Sequence, residues 1–156
     1  MAIERVRHHL KQWNMDHLIQ EFSVSSATVL EAAEALGTQP KRIAKTLAFR
    51  HEEGTLLVVT AGDAKVDNQK FRAAFNMKAR MLSPEETLEQ VGHAVGGVCP
   101  FGVNDGCQIA LDVSLKRFET IFPACGSSNS AIELSCDDLM KTAQTTLWVD
   151  VCKDWI

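Results

Sequence analysis

Three Gly and one Pro fall within the seven residues Gly96-Gly97-Val98-Cys99-Pro100-Phe101-Gly102, and a regular element does not tolerate that density. Proline has no main-chain N–H and a locked φ, while glycine adds backbone entropy that a helix or strand must remove. The segment reads as a loop whose backbone can come close to a ligand. A second segment complements it. In Arg42-Ile43-Ala44-Lys45-Thr46-Leu47, one Lys and one Thr stand where a short helical stretch meets an apolar run. A cation beside a loop lined with N–H groups suits an anionic ligand or a developing oxyanion.

Around these segments the periodicity is legible. Ile3, Val6, Leu10 and Trp13 recur at helical spacing and predict an amphipathic helix over residues 2–13. Residues 17–22 read as a short strand. Thr28 followed by Glu31 is a capping-box pattern, and Val29, Ala32, Ala33 and Leu36 form an apolar stripe before Gly37 ends the helix. Pro40 opens a short helix reaching about Ala44. Apolar runs at residues 46–49 and 55–61 flank a polar turn, a hairpin signal. Residues 68–75 read as a helix and 78–82 as a strand. Ser83-Pro84-Glu85-Glu86 starts a helix that ends near Gly92. Residues 107–113, 130–134 and 147–151 read as strands, 137–143 as a helix capped by Ser135, and 115–122 fits either state. Helices and strands alternate irregularly, without repeats or linkers. The expectation is a single mixed α/β (α+β) domain over residues 1–156.

Composition narrows the partners. At 46% hydrophobic and 23% charged, the chain can build a core. No apolar run approaches the roughly 20 residues of a membrane helix. Glu4, Arg5, Arg7, His8, His9 and Lys11 leave no room for a signal-peptide core, so a cytoplasmic location is expected. The five Cys (99, 107, 125, 136, 152) form no C-x-x-C pair, so spacing indicates neither a disulfide framework nor a zinc site. The net charge of −4 hides an asymmetry. Residues 41–80 carry nine basic and four acidic groups, about +5, which leaves about −9 for the remainder. Such a face can steer a phosphate backbone although the molecule is acidic. No G-x-S-x-G elbow, H-E-x-x-H pair or phosphate-binding G-x-x-x-x-G-K-[ST] occurs.

Lys45-Thr46-Leu47, Gly62-Asp63 at the end of an apolar run, and the loop from Gly96 to Pro100 resemble three landmarks of one family. These are the K-[ST]-L, G-D and G-x-x-x-P elements of the YbaK/prolyl-tRNA editing family of trans-acting aminoacyl-tRNA deacylases. Asp112 in Leu111-Asp112-Val113 and the turn Gly126-Ser127-Ser128-Asn129 resemble later landmarks of the same family. The matched order extends from Thr28 to Ser135. The resemblance implies a single YbaK-like domain with a twisted mixed sheet, partly barrel-like and flanked by helices.

The same resemblance implies a reaction, the hydrolysis of the ester joining a wrongly attached small amino acid to tRNA, on tRNA-Pro or a related tRNA. It implies that Lys45 orients the terminal nucleotide or the carbonyl. Gly96, Gly97 and Val98 then hold the carbonyl oxygen while water attacks, helped by the vicinal ribose hydroxyl. Thr46, Gly62, Asp63, Cys99, Pro100, Phe101, Gly102, Asp112, Gly126, Ser128 and Asn129 form the substrate-binding set. Val98 and Cys99 are expected nearest the amino-acid side chain. No metal or cofactor is implied. The partner is the aminoacyl-tRNA 3′ end, with an aminoacyl-tRNA synthetase as a further one. Read without the resemblance, Gly62-Asp63 and the Ser128-Asn129 pair are turns. Three alternatives stay open: a binding module that holds a tRNA end, a nucleotide or a synthetase without hydrolysis, an enzyme acting on a different small ester or nucleotide conjugate, and a thiol nucleophile built from Cys99 and His93.

Overall fold

Every residue from Thr55 to Ala61 is buried, so this run has no solvent face and belongs in the middle of a sheet covered on both sides. The computed structural model describes residues 2–155. In chain order its elements are α1 (Ala2–Leu10), β1 (Gln20–Glu21), α2 (Val29–Leu36), β2 (Ile43–His51), β3 (Gly54–Ala61), β4 (Lys65–Val66) and α3 (Asn68–Phe75). They continue with α4 (Pro84–Val91), β5 (Cys107–Asp112), β6 (Phe122–Pro123), β7 (Ser130–Ala131), α5 (Cys136–Ala143), β8 (Trp148–Val149) and β9 (Cys152–Lys153). The central sheet has the order β6-β2-β3-β5-β8. Only β2 and β3 run antiparallel in it; β6, β5 and β8 join in parallel. No helix among the described residues is long and apolar enough to cross a membrane.

The hairpin register pairs Ala44 with Ala61, Thr46 with Val59 and Ala48 with Leu57. Successive side chains of a strand alternate between faces, so Ala44, Thr46 and Ala48 share one face and Lys45, Leu47 and Phe49 the other. On the first face Ala48 and Leu57 pack with Leu82 and Val91 against Val98; at the start of the strand Ile43 and Phe122 receive Ala32 and Ala33 of α2. On the second, Phe49 meets Phe71 of α3 with ring centroids 4.8 Å apart, and Phe71 meets Phe75 at the same separation. Helix starts follow side-chain chemistry. Thr28 and Ser83 both close capping boxes, with Glu31 and Glu86, and Ser135 caps α5. Gly37 and Gly92 end α2 and α4 with positive φ.

Several segments differ from the sequence expectation, each for a stated reason. Residues 17–22 hold a 3-10 turn, Asp16–Leu18, and the two-residue β1, which pairs only with β7. Pro40–Arg42 is also a 3-10 turn, and β2 begins at Ile43. Residues 78–82 give a single bridge, Phe49 with Met81, flanked by bonds from Arg50 N–H to Arg80 and from Leu82 N–H to Ala48. Ser83 and Pro84 start α4 at once and stop the strand from extending. Residues 130–134 reduce to β7 and a bridge from Leu134 to Ile121. The last strand splits in two because Val151 donates its N–H to the buried Asp112 carboxylate, and the chain changes from β5 to β4 as its partner. Phe71 is fully buried between two rings, so Phe71→Ala should cost about 3–5 kcal/mol, whereas Thr28→Ala should cost about 1 kcal/mol. Urea-denaturation midpoints of the two variants should rank them in that order.

Candidate functional site

β2 is covered only at its ends on the side away from β3. β6 pairs with Ile43 and Ala44, and Met81 bridges Phe49. Between those contacts lies a cavity of about 240 Å³. Its floor is the strand from Ile43 to Ala48. Thr28, Val29 and Ala32 of α2 form one side, Met81, Leu82 and Thr87 another, and Gly96 and Val98 contribute from the glycine loop. Phe122, Ala124, Ser130 and Ala131 close the far end. The wall is mostly apolar. Among its polar groups, the Thr46 hydroxyl is buried and has no hydrogen-bond partner among the described residues.

The loop is held by main-chain contact with the late turn. Gly126 N–H donates to Gly97 O at 2.9 Å, and Gly97 N–H donates to Ala94 O at 2.9 Å. A Cβ on Gly97 would lie 2.6 Å from Ser127 N and 2.7 Å from the Gly126 carbonyl carbon, so only glycine fits there. Ser128 O accepts from Ser26 N–H at 2.7 Å, which ties the same turn to the segment before α2. Gly96, Gly97, Gly126 and Ser128 are thus brought together, although they are far apart in sequence. The main-chain N–H groups of Gly96 and Val98 have no acceptor among the described residues.

Beyond Val98 the loop turns inward. Cys99, Pro100 and Phe101 are buried and do not line the cavity, so the expectation that Cys99 flanks the amino-acid side chain is corrected: burial in the core takes it out of the wall. Gly102 packs against the backbone of Arg5 instead. His93 Nε2 lies 2.7 Å from Phe101 O, and Cys99 Sγ is 3.5 Å from the same nitrogen. Nε2 therefore carries the proton and donates to the carbonyl, and Nδ1 has no partner among the described residues. Burial holds His93 below its ordinary value and pushes the Cys99 thiol up to about 12. A thiolate at Cys99 is not present near neutral pH; the pair locks the loop.

Lys45 is part of the cavity wall, and partial burial lowers its pKa, opposed by the nearby Cys152 and Asp63. Asp63 is engaged with Arg117 through two bonds, 3.0 and 2.6 Å, which hold its carboxyl below the usual range. It supplies fixed negative charge near Lys45 and is outside the wall. Gly62 is where the chain crosses the Pro40 carbonyl too closely for any Cβ. Asp112 accepts from Ser114 and Val151 N–H and is buried. Asn129 exchanges bonds with Phe22 through both its backbone and its side chain. Neither reaches the cavity. The basic stretch is partly spent: Arg42 pairs with Glu133, Arg50 with Glu86 and Lys70 with Asp150. Ser26, Met81, Thr87, Phe122 and Ala131 belong to the wall and carry no sequence signal, because only packing brings them there.

Comparison with known proteins accords with this architecture. The family profile described as an aminoacyl-tRNA editing domain matches residues 24–142. The chain belongs to the aminoacyl-tRNA editing domain family. It is 56% identical over 156 residues to the uncharacterized protein YwhH of Bacillus subtilis (strain 168), covering 99% of each chain. It is 36% identical over 78 residues to the proline--tRNA ligase of Thermotoga maritima, covering 49% of this chain and 14% of the ligase. A solved structure described as a candidate trans-editing enzyme for prolyl tRNA synthetase superposes with a TM-score of 0.87 and 28% identity over 97% of each chain.

The neutral His93 has a measurable consequence. The unfolded chain takes up a proton at this His near the ordinary value of 6.5, and the folded chain only at lower pH. Below that value the unfolded state binds more protons, so the folded state loses stability as pH falls from 6.5 toward the depressed value. Above 6.5 the contribution is constant. In His93→Gln, whose amide can still donate to Phe101, the stability gap to wild type should narrow on acidification. Thermal unfolding of both proteins between about pH 7 and about pH 5.5 checks this.

Proposed function

We propose that this protein is an aminoacyl-tRNA deacylase that removes a small amino acid from a mischarged tRNA, tRNA-Pro or a related one. The observation that carries the reading is the small cavity floored by Lys45 and Thr46 and walled by the glycine loop, in a chain that is itself an editing domain.

The chemistry needs little from side chains. A water oxygen attacks the ester carbonyl carbon, the carbonyl oxygen becomes negative, and the bond to the ribose oxygen then breaks. That ribose oxygen takes a proton, and the amino acid leaves as its carboxylic acid. The unshared N–H groups of Gly96 and Val98 are the candidate donors to the oxyanion, an effect worth about 3 kcal/mol per donor in other hydrolases. The Lys45 ammonium, balanced by the fixed charge of Asp63, is the candidate anchor for the terminal nucleotide. The vicinal ribose hydroxyl can share the proton transfer. Holding the ester against water in one geometry supplies much of the remaining rate.

A panel of aminoacyl-tRNAs, each assayed for release of its amino acid, tests the reading. Alanyl- or seryl-tRNA should be cleaved and phenylalanyl-tRNA spared, since the cavity of about 240 Å³ is small; preference for the aromatic substrate would refute it. Lys45→Ala should lose deacylation at unchanged melting temperature; near-normal turnover in that variant would overturn the role of Lys45, whereas tRNA binding without turnover by the wild type would point to the binding-module alternative. Gly97→Ala should reduce turnover more than Cys99→Ser, because a Cβ meets backbone at Ser127 while Cys99 is outside the wall.

A further inference from the structure

The uncovered stretch of β2 has a specific hydrogen-bonding character. Arg50 N–H bonds to Arg80 O and Ala48 O accepts from Leu82 N–H, both on the side away from β3. Alternate residues of a strand address the same side, so Thr46 turns its main-chain N–H and C=O to that side too. No strand lies opposite it there, because β6 stops at Ala44 and the Met81 bridge starts at Phe49. Neither the β6 ladder nor the Met81 bridge therefore supplies a partner to these groups of Thr46, and Thr46 lines the cavity floor. The unpartnered Thr46 hydroxyl is a second, independent sign of a polar site left unfilled.

A donor and an acceptor on one residue at a bare strand edge match one ligand pattern closely. In an antiparallel ladder two opposed residues exchange both bonds, each giving its N–H to the other's C=O. An aminoacyl ester carries that same pair, an α-ammonium and a carbonyl on one residue. We propose that Thr46 pairs with the aminoacyl group as a one-residue strand, its C=O accepting from the α-ammonium and its N–H donating to the ester carbonyl. This rests on the deacylase reading above and deepens it: the substrate class becomes esters with a free α-amino group. Directly opposed residues send their side chains to the same face, so the amino-acid side chain falls on the Ala44–Thr46–Ala48 face beside Val98. The size limit and the amino-group requirement thereby arise from a single pose.

The test compares the best substrate of the panel with its des-amino counterpart on the same tRNA, propionyl- against alanyl-tRNA for instance. Each rate is taken relative to its own uncatalysed hydrolysis, which removes the activating effect of the ammonium. Wild type should accelerate the amino ester about tenfold or more beyond the des-amino ester, the scale of a hydrogen bond to a charged group. Thr46→Pro deletes the N–H on the side where proline is tolerated in a strand edge; it should keep its fold and lose acceleration of the amino ester. Where that variant does not fold, the Thr46 amide resonance of 15N-labelled wild type replaces it. It should shift with the aminoacyl amide of 3′-amino-3′-deoxyadenosine and not with the des-amino analogue. Equal acceleration of both esters, or a Thr46 amide unmoved while Gly96 and Val98 respond, overturns the pairing and leaves deacylation standing. Failure to accelerate any member of the panel overturns the deacylase reading, and the pairing with it.

Discussion

The register of β2 on β3 decides where everything else in the site stands. β3 is buried from Thr55 to Ala61 and covered on both faces, so it cannot shift without exposing apolar side chains. β2 is bound to it by an unbroken ladder from Ala44 to His51. In a strand a slip of one residue exchanges the two faces. Such a slip would send Thr46 to the Phe71 side and Lys45 toward Val98. The hairpin is therefore the rigid element from which the cavity is built, and the glycine loop is placed relative to it by packing of Ala48, Leu57, Leu82 and Val98.

Buried polar groups supply a second layer of definition. His93 ties Phe101 and Asp112 ties Ser114 to Val151, while the partly exposed Asp63 is clamped by Arg117. A buried polar group costs free energy unless it is bonded, so each of these contacts admits few alternative arrangements. They hold loop ends and chain reversals in place around the cavity. Apart from His93 Nδ1, the exceptions described here are at the site. Thr46 and the loop amides of Gly96 and Val98 keep unused hydrogen-bonding capacity, which is where a structure that binds a polar ligand should hold it in reserve.

The comparisons add a scale. The stretch shared with a proline--tRNA ligase covers 14% of the ligase and 49% of this chain. The 0.87 TM-score to a structure only 28% identical fits a fold fixed by hairpin register and backbone contacts, since these depend on apolar pattern and glycine position more than on particular side chains.

Local chemistry was legible without the structure. The capping boxes at Thr28 and Ser83, the stops at Gly37 and Gly92, the hairpin and the loop at Gly96 all depend on residues close together in the chain, and all appear as read. The two-residue strands β4 and β9 were not legible, because each exists only through the other. The site divided along the same line. Lys45, Thr46, Gly96 and Val98 were marked by their own sequence context and are together in the wall. Cys99, Asp63, Asp112 and Asn129 stood in equally suggestive contexts, yet their side chains are occupied by burial or by partners distant in sequence. Sequence alone determined which segments turn, cap and pair, since those choices rest on backbone conformation within a few residues. Which face a polar group meets, and whether its bonds are already taken, was decided by tertiary packing.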